Sequence, residues 1–383
     1  MNKRIFVDAL NNEPTYANFI VTFLSSIIKG TAPSTGTAAL DMLEEAFFST
    51  GDIRFGPKPN VEHVYNIRQT IDYHMAKREP IPVLVPWGSI KAKFGANIDM
   101  AEVIAISQIV ALNKRVKAYY EPGIEVRLRI EDTSGLELFK LEGKPEELID
   151  GTFLYTNNLI RLINVLDDDR CILPVRESDM MNVGLFTETV ERLIPVFEKY
   201  LEVTDDTIER MLDTDDNVFT YKDEYKALQA LGWEGIISIV QRNHYYKAYE
   251  KLYNGDKALM RKRLAMYFAG SLARHKLGMT GVTHRWMNKF IQISFVPPIS
   301  GLPEGYNRNY IYYRTMPEAY ARTHMPPWRA KGYLRIIDNG QGTKACPKLA
   351  TWHESKPYNN LTVTIANGDK TVDVSVDFVL ETK

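Results

Sequence analysis

Cysteine is scarce in this chain: Cys171 and Cys346 are the two among 383 residues, far apart, which excludes a disulfide framework and fits a reducing, cytoplasmic setting. Long apolar runs are missing too. No stretch reaches the ~18 consecutive apolar residues of a membrane-spanning helix, and the basic start is interrupted by Asp8, Asn11, Asn12 and Glu13 before a signal-peptide core forms. Neither sign of charge dominates. With 47 Lys and Arg against 48 Asp and Glu, the net charge of -1 gives bulk nucleic-acid binding no electrostatic basis. Gly-x-Gly-x-x-Gly, Walker, His-Glu-x-x-His and Gly-x-Ser-x-Gly motifs are absent, which removes the commonest nucleotide, zinc and serine-hydrolase readings. The seven histidines lack metal-ligand spacing, so no metal is expected. Internal repeats and low-complexity tracts are absent as well.

What is there is a large apolar fraction, 45%, enough to bury one elaborated domain or two. The clearest unit runs from residue 80 to residue 139. Residues 81–85 are apolar and largely β-branched without alternation, as in a strand buried on both faces, and end at Pro86 and Gly88. Residues 100–116 carry apolar side chains at helical spacing with Asn113, Lys114 and Lys117 on the other side, and Asp99 with Glu102 resembles a capping box. Pro122 and Gly123 stop this helix. Residues 124–130 then alternate, with Glu125, Arg127 and Arg129 outward, as a half-exposed strand would. Strand, crossover helix and strand predict a parallel sheet, whose ligands sit beyond the carboxyl ends of the strands. Those ends carry Trp87, Ser89, Lys91 and Lys93, and Glu131 and Asp132.

The remaining pattern predicts an α/β fold: a Rossmann-like, mostly parallel sheet core with a helical N-terminal cap, a helical middle and an antiparallel, β-rich C-terminal portion. The expected segments are 1–55 for the cap, 56–300 for the core and 301–383 for the β-rich portion. Residues 61–77 read as a helix, as do residues from Pro145 to about 166, and residues 171–175 as a third strand ending at Arg176. Arg176 is either a ligand-binding residue at the sheet edge or the member of a plain salt bridge. Asp167, Asp168 and Asp169 read as structural, because consecutive side chains in a turn diverge. The Gly/Ser/Thr stretch at 30–37 reads as an ordinary interhelical loop. From residue 290 the pattern turns to strands, expected to pair antiparallel, at 291–295, 310–313, 333–337, 361–365 and 372–379, with Asn367-Gly368 as a hairpin signal whose loop is slightly longer than the shortest.

The order of features resembles the pyoverdine/dityrosine biosynthesis family, which includes the isocyanide (isonitrile) synthases. An apolar strand leading to Pro86 and Lys91, the Asp99-x-x-Glu102 helix head, and the Tyr120-x-Pro122-Gly123 turn follow that family's order. The family's later Ser-Ile-His-Pro strand and Pro-Trp-His element correspond to residues 293–297 and to Pro327-Trp328-Arg329, with Val296 and Arg329 where the family has histidines. The resemblance implies an enzyme that joins the amino group of an amino acid or related amine to a carbon from ribulose 5-phosphate, without a metal or redox cofactor. It implies partners that are small molecules, an amine and a sugar phosphate. In that reading Lys91 either grips the phosphate or forms a Schiff base with the sugar ketone, and Asp132 or Glu131 is the general acid/base. Arg176 and Arg329 hold phosphate or carboxylate, and Trp87, Ser89, Lys93, His324 and Trp328 line the site. Two other readings stand beside it: a binding module that has kept the fold and lost the chemistry, and a nucleic-acid-binding or nucleic-acid-modifying protein using the basic stretch 257–276. For that stretch a solvated helix face is the favoured account.

Overall fold

A computed structural model describes residues 3–7, 14–29, 46–47, 61–89, 91, 97–132, 145–202, 289–295, 311–316, 325–338, 343–351 and 357–382, with single helical positions between 258 and 277. Its elements are β1 (Arg4–Val7), α1 (Pro14–Lys29), α2 (Val61–Lys77), β2 (Ile81–Trp87), α3 (Met100–Lys117), β3 (Ile124–Ile130), α4 (Pro145–Leu166), β4 (Ile172–Arg176), α5 (Glu177–Met180), α6 (Val183–Glu202), β5 (Ile291–Ser294) and β6 (Ile311–Tyr312). A 3-10 turn, Pro327–Arg329, then leads into β7 (Ala330–Asp338), β8 (Thr343–Thr351), β9 (Asn359–Asn367) and β10 (Lys370–Thr382).

The strands form two five-stranded sheets. The first has the order β4-β3-β2-β5-β6 and is parallel throughout, the core the βαβ pattern predicts. The second has the order β1-β9-β10-β7-β8 and is mixed: β10 runs parallel to β7, and its other pairings are antiparallel. β5 and β6 therefore extend the first sheet in parallel, contrary to the antiparallel pairing expected from residue 290 onward. Both sheets also draw on distant parts of the chain, since β1 pairs with β9 and β2 with β5.

Helices α3 and α4 lie between the sheets: α3 contacts β3 on one side and β7 and β10 on the other, and α4 contacts β9 and β10. This layering buries Asn113, one of the polar residues expected opposite the apolar stripe of α3, whereas Lys117 is exposed as expected. Asn113 is fully buried, its Nδ2 donating to Asp169 Oδ2 and its Oδ1 accepting from the Ile124 amide, both at 3.0 Å. Where the sheets enclose a helix, its polar positions become internal ties. Arg129 is likewise buried where alternation predicted exposure.

Side chains from all three layers form one core, among them Val83, Val85, Val126 and Leu128 from the first sheet, Ile104 and Ile109 from α3, and Leu334, Ile336, Val374 and Val376 from the second. Each such burial contributes roughly 1.5–3 kcal/mol. The β9–β10 hairpin closes through Gly368 and Asp369 alone, because both strands run further than their apolar pattern indicates. β8 is an edge strand, the place where Pro347 is tolerated without an N–H to donate.

The approach of β7 to α3 is close enough to fix a residue type. A Cβ on Gly332 would stand 2.5 Å from the Ala101 amide nitrogen, a backbone atom that cannot swing aside. Gly332→Ala is expected to destabilise the chain by at least ~2 kcal/mol, read as a lower urea midpoint; an unchanged midpoint would mean that the layers can separate without loss.

Candidate active site at the carboxyl ends of the parallel strands

Strand register assembles the candidate site. Trp87 of β2 pairs with Ile130 of β3, which pairs with Arg176 of β4, so the three end in one row. Just beyond that row the Glu131 amide donates to the Trp87 carbonyl at 2.8 Å, and Ser89 Oγ donates to the Glu131 carbonyl at 2.5 Å. Asp132 follows. Its Oδ1 accepts from the Ser178 amide at 2.9 Å and its Oδ2 from the Ser178 hydroxyl. Burial raises the Asp132 carboxyl above the usual carboxylate range; the Ser178 hydrogen bonds oppose that rise and the Glu177 charge adds to it. The result is a fixed, partly desolvated carboxyl at the strand ends. Arg176 Nη2 donates to Asn157 Oδ1 of α4 at 2.6 Å.

An aromatic wall stands at the neighbouring strand ends. The Trp87 ring meets Phe295 edge to face at 5.8 Å and Trp328 at 5.3 Å, and Phe295 meets Tyr313 at 6.5 Å. Gly88 admits the Trp328 indole, which a Cβ there would approach within 2.5 Å.

Lys91 does not join this row. It is 1% exposed and donates to Asp99 Oδ2 at 2.9 Å, to Glu102 Oε2 at 2.7 Å and to the Ala330 carbonyl of β7 at 3.0 Å, which engages all three ammonium protons. The capping box is present, with Ala101 N donating to Asp99 Oδ1 and Asp99 N to Glu102 Oε2. Tyr155 of α4 donates to Glu102 Oε1 at 2.9 Å and accepts from Trp87 Nε1 at 3.1 Å. Burial disfavours the Lys91 charge, but Asp99 and Glu102 outweigh it and hold the ammonium pKa above its ordinary value. Burial is the larger influence on Glu102 and, against the attraction of Lys91, raises its carboxyl to about 8.

The structure thus brings Trp87, Ser89, Glu131, Asp132 and Arg176 together and joins Trp328 to them through Trp87. Lys91 turns to the head of α3, where Asp99, Glu102 and the Ala330 carbonyl engage its ammonium. Lys93, His324 and the Arg329 side chain lie outside the described residues, as does most of the basic stretch 257–276. Sequence reasoning missed Ser178, Tyr155 and the pairing of Lys91 with the capping box. The lysine eight residues before Asp99 was visible, whereas Tyr155 sits mid-helix with no local signal. The three aspartates diverge as expected: Asp167 accepts from the Ile172 amide, Asp168 pairs with Lys3 and Asp169 with Lys117. Among the described residues no group of three or more His, Cys, Asp or Glu could hold a metal ion, and no helix is long and apolar enough to cross a membrane.

No protein-family model matches the chain, and no curated protein matches it. Among solved structures it is similar to the PvcA protein from Pseudomonas aeruginosa, at 13% identity and a TM-score of 0.47, over 89% of this chain and 99% of that one. It is also similar to a Leishmania major tyrosyl-tRNA synthetase in complex with tyrosinol, at 15% identity and a TM-score of 0.27, over 63% of this chain and 30% of that one.

Glu102 keeps its proton to about pH 8 in the folded chain against 4.5 when unfolded, so between those values the folded state binds the extra proton. A raised folded pKa contributes stability that is lost as pH rises, here with a slope of up to ~1.4 kcal/mol per pH unit. Urea unfolding from about pH 5 to about pH 8 is expected to show that fall, and Glu102→Gln to flatten it. An equal slope in the variant would assign it to other groups.

Proposed function

We propose that this chain is an enzyme of the isocyanide-synthase type, which joins a carbon from a sugar phosphate such as ribulose 5-phosphate to the amino group of an amino acid or related amine. The observation that carries the reading is the Asp132 carboxyl, held by Ser178 with a raised pKa beside Arg176 at adjacent parallel strand ends. The order of motifs from Pro86 to Gly123 supports it independently.

Asp132 is assigned the proton transfers that accompany carbon-carbon cleavage of the sugar, with Glu131 beside it. Arg176, together with Lys93 and Arg329, supplies positive charge for the phosphate or a substrate carboxylate. Trp87 and Trp328 form an apolar wall for the amine, and Ser89 fixes the Glu131 main chain. Lys91 enters as a positioning residue. A Schiff base needs a neutral amine, whereas the ammonium pKa of Lys91 is raised by its contacts with Asp99 and Glu102.

Calorimetric titration with ribulose 5-phosphate tests the reading without knowledge of the amine. Saturable binding is expected, weakened about tenfold in Arg176→Ala. Asp132→Asn, which still offers Ser178 an acceptor, is expected to bind the sugar phosphate but to lose ~100-fold or more in turnover, followed by mass spectrometry of isocyanide or formyl products over a panel of amines. Absence of binding by the folded protein would sink the proposal. Binding without product for any amine would leave a binding module of the same fold.

A further inference from the structure

Arg115 lies in the last turn of α3, and helical side chains there point back over the preceding turn. Burial lowers its pKa, and the hydrogen bond with Tyr313 works the other way. Tyr313 spends its own proton on the Phe47 carbonyl at 3.2 Å, which leaves its oxygen to accept from the guanidinium. Arg115 Nε and Nη2 are buried and have no acceptor among the described residues, nor does any described carboxylate form an ion pair with this guanidinium.

The chain shows elsewhere what that pair of atoms does. Arg335 Nε donates to Glu381 Oε1 at 2.6 Å and its Nη2 to Oε2, a side-on fork that grips both oxygens of a carboxylate. On Arg115, where burial makes an uncompensated charge costlier, the same pair of donors is unpaired. A second unmet group lies on the same stripe of α3. Gln108, about two turns earlier, donates through Nε2 to the Thr315 carbonyl at 2.9 Å, while its buried Oε1 has no donor. Both side chains thus face the short segment 313–315 that follows β6.

We propose that Arg115 binds a small oxyanion through Nε and Nη2, in a site between α3 and segment 313–315 that uses none of the charged residues assigned to the strand-end site. The fork takes a carboxylate or a phosphate-type ion. Gln108 Oε1 favours hydrogenphosphate, whose hydroxyl supplies the donor this oxygen lacks.

Thermal unfolding of the full chain in formate and in inorganic phosphate, each against chloride at equal ionic strength, tests the proposal. A saturable rise in Tm of about 2 °C or more is expected with at least one oxyanion. Arg115→Lys, which keeps the charge but removes the fork, is expected to abolish it, whereas Arg335→Lys leaves it in place. A larger rise in phosphate that Gln108→Leu reduces identifies hydrogenphosphate; equal rises indifferent to Gln108 identify a carboxylate. A response no greater than that to chloride, or one preserved in Arg115→Lys, overturns the site. Should Arg115→Lys fail to fold, anomalous density of selenate at the Arg115 fork in crystals of the unsubstituted chain carries the test, and its absence refutes the proposal.

Discussion

The ammonium of Lys91 ties the two sheets to the helix between them. It stands just beyond β2 of the parallel sheet and meets Asp99 and Glu102 at the head of α3 and the Ala330 carbonyl at the start of β7. Asp99 adds a second tie, since its Oδ1 accepts both from Ala101 of its own helix and from the Gly332 amide of β7 at 3.2 Å. Three protons with three acceptors leave the ammonium one arrangement. Removing one partner from such a buried set costs about 3–5 kcal/mol, because the remaining charge stays buried without compensation. The contact is therefore better evidence for a specified geometry than for net stabilisation.

The rest of the middle layer follows from that constraint. With β7 drawn onto the first turn of α3, no side chain fits at Gly332, and the face of α3 turned away from the first sheet is sealed. Glu102 is caught between opposing influences. Lys91, the Asp99 amide and Tyr155 all donate to it, which favours the carboxylate, while complete burial favours the acid. With its carboxyl raised to about 8, Glu102 carries a proton below that pH, which changes the charge that faces Lys91. Groups so close titrate as a unit, and the charge of the cluster depends on the pH around it.

Much of the first sheet was legible in the sequence, because its strands and helices advertise themselves locally. The apolar run of β2, the periodicity of α3, Pro145 at the start of α4 and the Asp99-x-x-Glu102 cap all placed elements near their observed bounds. What depends on long-range packing was not legible. The burial of Asn113 and Arg129, the turning inward of Lys91, and the parallel pairing of β5, β6 and β10 are set by elements far away in sequence. β8 was hidden for a different reason: Pro347 and two lysines, ordinary on an open edge, break the pattern of a strand. The strand-end site falls between these cases. Its acidic pair and Arg176 follow from the strand pattern, whereas Ser178 reaches Asp132 only through the turn into α5.

Trp87 couples the inter-sheet tie to the candidate site. Its indole N–H fixes the Tyr155 oxygen, which directs the Tyr155 proton to Glu102, while its main-chain carbonyl accepts from Glu131 at the strand ends. Tryptophan can only donate through this nitrogen, so the polarity of the chain from Trp87 through Tyr155 to Glu102 is determined. Packing of Trp87 against Trp328 and Phe295 leaves its ring little freedom to reorient. A change in the proton count of the Lys91 cluster therefore bears on a side chain whose backbone belongs to the site, through contacts that are all buried. The tie that fixes the layers thereby sets the position from which Ser89, Glu131 and Asp132 are presented.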